Sequence, residues 1–103
     1  MEGLNASLEQ IDETVHGRVR LAVLAYLSTA GSADFMTLTE MTRTTKGNLS
    51  SHLSRLEAAG YVSIDKAFVA RKTRTTVQMT QAGEQAFANY LATFRSILDQ
   101  LST

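Results

Sequence analysis

The sequence of 103 residues predicts a mainly α domain that carries a small β-hairpin, an α+β arrangement. Three observations lead there. Apolar residues recur at helical spacing through most of the chain, the period drops to two directly after Gly60, and a long heptad-like seam occupies the C-terminal fifth. The length suits a single domain, which typically runs to about 100 to 150 residues. A second domain would have no core of its own.

Taken in order, Leu4, Leu8, Ile11 and Val15 fall at steps of four, three and four, one face of an amphipathic N-terminal helix expected within residues 1–16. Gly17 breaks it. From Arg18 to about Ala30 the pattern Val19, Leu21, Ala22, Val23, Leu24, Ala25, Tyr26, Leu27 is apolar nearly all round, so this helix belongs at the centre of the core. Gly31 supplies its C-cap. Ala33 to Met36 reads as a short strand, and Thr37 with Glu40 three residues on reads as a capping box that opens a short helix to about Arg43. After the Thr44–Gly47 turn, Thr45 is the expected N-cap of a helix that runs to Ala59 and stops at Gly60. Tyr61 to Ile64 and Thr75 to Thr80 then form two strands, with Val77 and Met79 on one face. The ten residues between them hold Lys66, Arg71, Lys72 and Arg74, which gives the hairpin a cationic tip. Thr80 caps a last helix to about Leu101, whose stripe of Phe87, Tyr90, Phe94, Ile97 and Leu101 is widened by Leu91 and Leu98.

Composition narrows the function classes. With 44% hydrophobic and 19% charged residues the chain is of globular type, and its longest apolar run, Leu21 to Leu27, is far below the roughly 20 residues of a membrane span. No basic and apolar leader is visible, so the expected place is the cytoplasm. The absence of cysteine excludes disulfides, thiolate metal sites and thiol catalysis. His16 and His52 lack carboxylates at metal-ligand spacing, and no metal or other cofactor is expected. There is no Ser-His-Asp arrangement, no Gly-rich phosphate loop after a strand and no paired carboxylates in a plausible cleft, so an enzyme is not expected.

The formal net charge of zero hides a partition. Residues 43–74 hold seven bases against Glu57 and Asp65, a balance of plus five, and the rest of the chain sums to minus five. Such asymmetry is the footprint of a polyanion site or of a merely dipolar surface. The arrangement of elements separates the two. A short helix, a tight turn and a second helix, followed at once by a hairpin with a basic tip, constitute a winged helix-turn-helix, here with the helix pair over 37–60 and the wing over 61–80. At about 100° per residue, Leu49, Leu53 and Leu56 share the inward face of the second helix. Gly47, Ser51, Ser54 and Ala58 lie opposite, flanked by Asn48, Ser50 and Arg55. A small, polar, basic face of this kind suits a major groove, where Arg and Asn read base edges and Ser or helix N-terminal amides hold phosphates. His52 flanks the leucines and has two readings, packing or a phosphate contact.

The block Thr45-Lys46-Gly47-Asn48-Leu49-Ser50-Ser51-His52-Leu53-Ser54-Arg55-Leu56-Glu57-Ala58-Ala59-Gly60-Tyr61-Val62 resembles the recognition helix and following strand of compact winged-helix transcriptional regulators of the MarR-like and ArsR-like group. The pattern is that of the short MarR-like subgroup. The likeness continues through Phe68, Arg71 to Thr75, Met79 to Gly83 and Ala86-Phe87, and upstream through His16, Arg20 and Leu21, so it spans residues 11 to 98. The resemblance implies that Lys46, Asn48, Ser50, Ser51, Ser54 and Arg55 face double-stranded DNA, that Arg71, Lys72 and Arg74 are wing contacts, and that terminal helices build a homodimer. The chain departs from the family pattern at Arg43, Thr44, Gly17 and Thr73, where glycine, an apolar residue or proline is usual. The expected dimer interface is Leu4, Leu8 and Ile11 with Phe87, Tyr90, Leu91, Phe94, Ile97, Leu98 and Leu101, since the final stripe is wider than so small a domain can cover. A cavity between the first helices and the last one could take an apolar effector. The alternative function is a winged-helix protein-interaction module that binds no DNA.

Overall fold

A computed structural model describes residues 2–102. The order is α1 (Glu2–Glu9), α2 (Arg18–Ala30), β1 (Ser32–Asp34), α3 (Phe35–Thr42), α4 (Lys46–Ala58), β2 (Val62–Val69), β3 (Lys72–Met79) and α5 (Gln81–Leu101). The strands form one antiparallel sheet in the order β1-β3-β2. Helix α2 lies at the centre, as its nearly all-apolar surface predicts, with Val23, Leu24 and Leu27 fully buried. Leu38 of α3, the three leucines of α4, Val62, Val77, Ala86 and Tyr90 complete the core around it.

Three boundaries differ from the sequence reading. The first helix stops at Glu9, and Ile11 and Val15 lie in the turn that follows. There the Asp12 carboxylate accepts from the backbone N–H groups of Thr14 (2.8 Å) and Val15 (3.3 Å), a local bond pattern that competes with helix. Val15 is fully buried because this turn folds back onto the core, so the apparent helical spacing ran across two different structures. The short strand ends at Asp34, and α3 begins at Phe35 with Asp34 as its N-cap, accepting from the Thr37 N–H at 3.0 Å and from its hydroxyl at 3.2 Å. Thr37 is therefore a donor inside the first turn, because an aspartate three residues earlier is the better cap. The hairpin strands run much further than expected, and only Ala70 and Arg71 remain for the turn.

Two junctions fix α4 and the hairpin. Thr45 caps α4 by accepting from the Asn48 N–H at 3.1 Å. Thr80 donates its hydroxyl hydrogen to the Gly60 carbonyl at 2.6 Å and accepts from the Gly83 N–H at 2.9 Å, which ties the end of α4 to the start of α5. Gly83 is required at this contact, since a Cβ there would lie 2.0 Å from the Tyr61 carbonyl oxygen. The molecule extends 58 × 25 × 21 Å, and its radius of gyration of 15.5 Å exceeds the about 13 Å of a compact chain of this length. The excess reflects α5, 21 residues long, with α1 packed along it.

Candidate nucleic-acid interface

Helix α4 is seated by Leu49, Leu53 and Leu56, each 2% exposed or less, so its remaining surface has a fixed orientation. Gly47, Ser51, Ser54 and Ala58 are exposed along the centre of that surface, and Lys46, Asn48, Ser50 and Arg55 are exposed around them. No carboxylate stands on the central strip. The sequence-derived recognition face is thus assembled as one continuous patch on one helix.

The two flanks of α4 meet different neighbours. On one side Ser50, Ser54 and Glu57 face Ile64, Lys66 and Thr75 of the hairpin across a cavity of about 530 Å³. On the other side lie Asn48, His52 and Arg55, one above another at helical steps of four and three, next to the start of α2. There Arg20, only 7% exposed, donates from Nη1 to His52 Nδ1 at 2.8 Å. Its remaining donors go to the backbone carbonyls of Thr14 (2.6 Å), His16 (3.1 Å) and Glu13 (3.3 Å). Burial, followed by the charge of Arg55, lowers the pKa of Arg20. Burial also lowers that of His52, with the charges of Arg20, Arg55 and Arg18 acting in the same direction. Arg18 is itself held by a 2.8 Å bond to the Thr42 carbonyl at the end of α3.

The wing distributes its bases over a ladder, where the sequence reading placed them in a loop. Lys66 pairs with Thr75, Ala67 with Arg74, Phe68 with Thr73 and Val69 with Lys72, and all but Thr75 are exposed. Alternation along the strand puts Lys66 and Phe68 on the face that Ile64 turns toward α4, and Lys72 and Arg74 on the other face. Arg71 sits in the turn itself. Ala70 (φ 50°) and Arg71 (φ 66°) are both left-handed, as a two-residue hairpin turn of type I′ requires. Phe68 is 75% and Val69 50% exposed, so the wing has an apolar end that its charges had hidden from the sequence reading.

The expected interface residues divide. Leu8, Leu91, Leu98 and Leu101 are exposed by 36 to 64%, whereas Leu4, Ile11, Phe87 and Phe94 are half-buried. Tyr90 and Ile97 are each 5% exposed within the single chain. The Tyr90 hydroxyl lies 2.9 Å from His16 Nδ1, and His16 stacks on Phe94. Beside Tyr90 a cavity of about 360 Å³ opens between the turn after α1 and α5. Its lining mixes Gln10, Asp12, Gln85 and Asn89 with the apolar surface of Tyr61, Ala82, Ala86 and Tyr90. The Tyr61 hydroxyl donates to Asp12 Oδ2 at 2.5 Å, and this bond is the first cause of a tyrosine pKa pushed up to about 12.

Arg18 and Arg20 were absent from the sequence-derived site. A signal existed for Arg20, which stands at a core position by the steps of four and three to Leu24 and Leu27. Among the described residues no group of three or more histidines and carboxylates is placed to hold a metal ion. Among the described residues no helix is long and apolar enough to cross a membrane.

Known proteins share this architecture. A family model for a winged helix DNA-binding domain matches residues 19–98. An uncharacterized protein of Methanocaldococcus jannaschii is 36% identical over 73 residues, 71% of this chain and 79% of its own. The structure of a transcriptional regulator homologue from Pyrococcus horikoshii superposes over 100% of both chains with a TM-score of 0.85 at 28% identity. A MarR-family transcriptional regulator from Silicibacter pomeroyi has the same fold, with a TM-score of 0.66 over 98% of this chain and 68% of its own at 24% identity. The chain belongs to the winged helix DNA-binding domain family and shares the winged helix-turn-helix fold of a MarR-family regulator.

Proposed function

We propose that the protein binds double-stranded DNA as a homodimer, with α4 in the major groove and the wing on the adjacent backbone or in the minor groove. One observation carries this reading: the exposed face of α4 is small, polar and free of acid along its centre, and three buried leucines hold it rigidly outward. Lys46, Asn48, Ser50, Ser51, Ser54 and Arg55 would make the groove contacts, with Arg55 and Asn48 reading bases and the serines holding phosphates. Arg71, Lys72 and Arg74 would contact the backbone beside it. The partition of charge supports the same side, since the acidic α1 lies against α5, away from the wing.

The second subunit would cover Leu8, Leu91, Leu98 and Leu101, exposed on an arm that projects from the core. A two-fold axis through that arm places the two α4 helices for half-sites one turn apart, about 34 Å along the duplex. Selection from a random duplex pool, combined with light scattering on the free protein, tests both parts. The expected result is a pseudo-palindrome and a mass of two chains. With five or more phosphates neutralised per dimer, the log-log slope of affinity against salt should be steeper than about minus four. Arg55→Ala should relax sequence preference, whereas Lys72→Ala should weaken all sequences alike. A flat salt dependence removes the DNA reading, and the interaction-module reading then takes its place.

A further inference from the structure

Arg20 poses a question that the proposed contacts leave open. A buried guanidinium is costly unless it is paired, and the partners of this one are three carbonyls and an imidazole nitrogen, all uncharged. Its bond to His52 has a chemical consequence. A guanidinium can only donate, so Nδ1 of His52 must be the unprotonated nitrogen, and the neutral ring then carries its hydrogen on Nε2. Among the described residues no side-chain nitrogen or oxygen is both buried and without a partner, and His52 Nε2 forms no hydrogen bond to any of them. Its N–H is therefore open to solvent, on the flank of α4 that also carries Asn48 and Arg55.

We propose that His52, together with Arg18, binds a phosphate of the DNA backbone along this flank, beside the base-reading Arg55, and that Arg20 is the positioning residue that fixes the imidazole with Nε2–H outward. The inference rests on the DNA-binding reading and adds to it two contacts and a buried support. Three guanidiniums and an outward N–H, with no carboxylate bonded to any of them, suit an oxyanion. Arg18 is steadied for the task by the Thr42 carbonyl. The opposite flank already faces the wing, so a contact here engages the other wall of the same major groove. One duplex backbone would lie on Arg18 and His52, and the other on the wing.

Two isosteres of the histidine separate a contact from a strut. In His52→Asn the amide oxygen can still accept from Arg20, but nothing reaches the place of Nε2. In His52→Gln the amide nitrogen restores a donor at that place. Binding is measured by fluorescence anisotropy on a mixed-sequence duplex of about 30 base pairs, three helical turns, across a salt series, with circular dichroism melts of each variant. The Asn variant should bind about tenfold more weakly, with its salt slope unchanged because a neutral donor releases no counterion. The Gln variant should bind within about twofold of the parent. Arg18→Ala should make the slope shallower by about 1.8, one phosphate contact being lost in each subunit of the dimer. Replacing single phosphates with methylphosphonates should reveal one position per half-site that weakens the parent and leaves the Asn variant unaffected. Nitrogen-15 shifts of His52 in the free protein should report the Nε2–H tautomer. Unchanged binding by the Asn variant, equal weakening of both variants, or the opposite tautomer would overturn the proposal while leaving the DNA reading intact. If the parent binds no duplex at any salt, both readings fall.

Discussion

Helix α4 and the β2–β3 wing line the two sides of one groove and both display basic side chains, but different forces hold them. Every third or fourth residue of α4 is a leucine that the core buries completely or nearly so. Beyond Asp65 the wing is a two-stranded ladder in which every residue from Lys66 to Arg74 is exposed. Its direction comes from backbone hydrogen bonds and from the tightness of a two-residue turn. The contrast teaches that a reading surface can be fixed either by burying its reverse side or by pairing its backbone. The first gives an orientation that fails only when the core fails. The second gives an arm that bends locally at little cost to the fold.

The largest expected effect tests the first half of this contrast. Leu53→Ala removes a side chain 2% exposed between α4 and the core and should cost about 3 kcal/mol. Urea denaturation measures this directly, and DNA affinity should fall along with it. Phe68→Ala on the wing should change stability by less than about 0.5 kcal/mol, since its ring is 75% exposed. If the two substitutions cost the same, the wing is packed and the contrast is wrong.

An intermediate effect sharpens how α4 is braced. His52 has a pKa held below its ordinary value by burial, so the fold favours the neutral ring. The stability this contributes is complete above the unfolded value of about 6.5 and is lost as pH falls through the folded one. Melting temperature measured from neutral to mildly acidic pH should decline in the parent, by a few degrees, and decline less in His52→Asn. Asp34, whose depressed pKa comes first from the Thr37 N–H, acts in a separate window below the ordinary aspartate range. An identical acid limb in parent and variant would show that the brace does not depend on the charge state of the ring.

The smallest effect concerns the wing turn. Ala70 has a φ of 50°, a conformation that costs a residue with a Cβ about 1 to 2 kcal/mol. Ala70→Gly relieves this strain but loosens the unfolded chain, and a net gain of about 0.5 kcal/mol is expected. Chemical denaturation should show the gain, with the affinity for a mixed-sequence duplex falling less than about threefold. A loss of stability would mean that the turn is held by contacts rather than tolerated as strain.

The sequence alone determined the order of elements from α2 onward, the burial of Leu49, Leu53 and Leu56, the caps at Thr45 and Thr80, and the charge partition. These rest on periodicity and on short-range chemistry, which act over four residues or fewer. Where a decision needed distant partners, only the tertiary structure made it. Val15 is buried because its turn folds back against α2, although by spacing it read as helix. Tyr90 reads as a seam residue, yet His16, 74 positions away, reaches its hydroxyl and covers it. The two readings of His52 could not be separated along the chain. It took Arg20, a helix away and buried, to fix which imidazole nitrogen faces inward and which is left for solvent or phosphate. Local bonding and periodicity thus specified what each segment is, while the faces and atoms left available depended on packing between segments far apart in sequence.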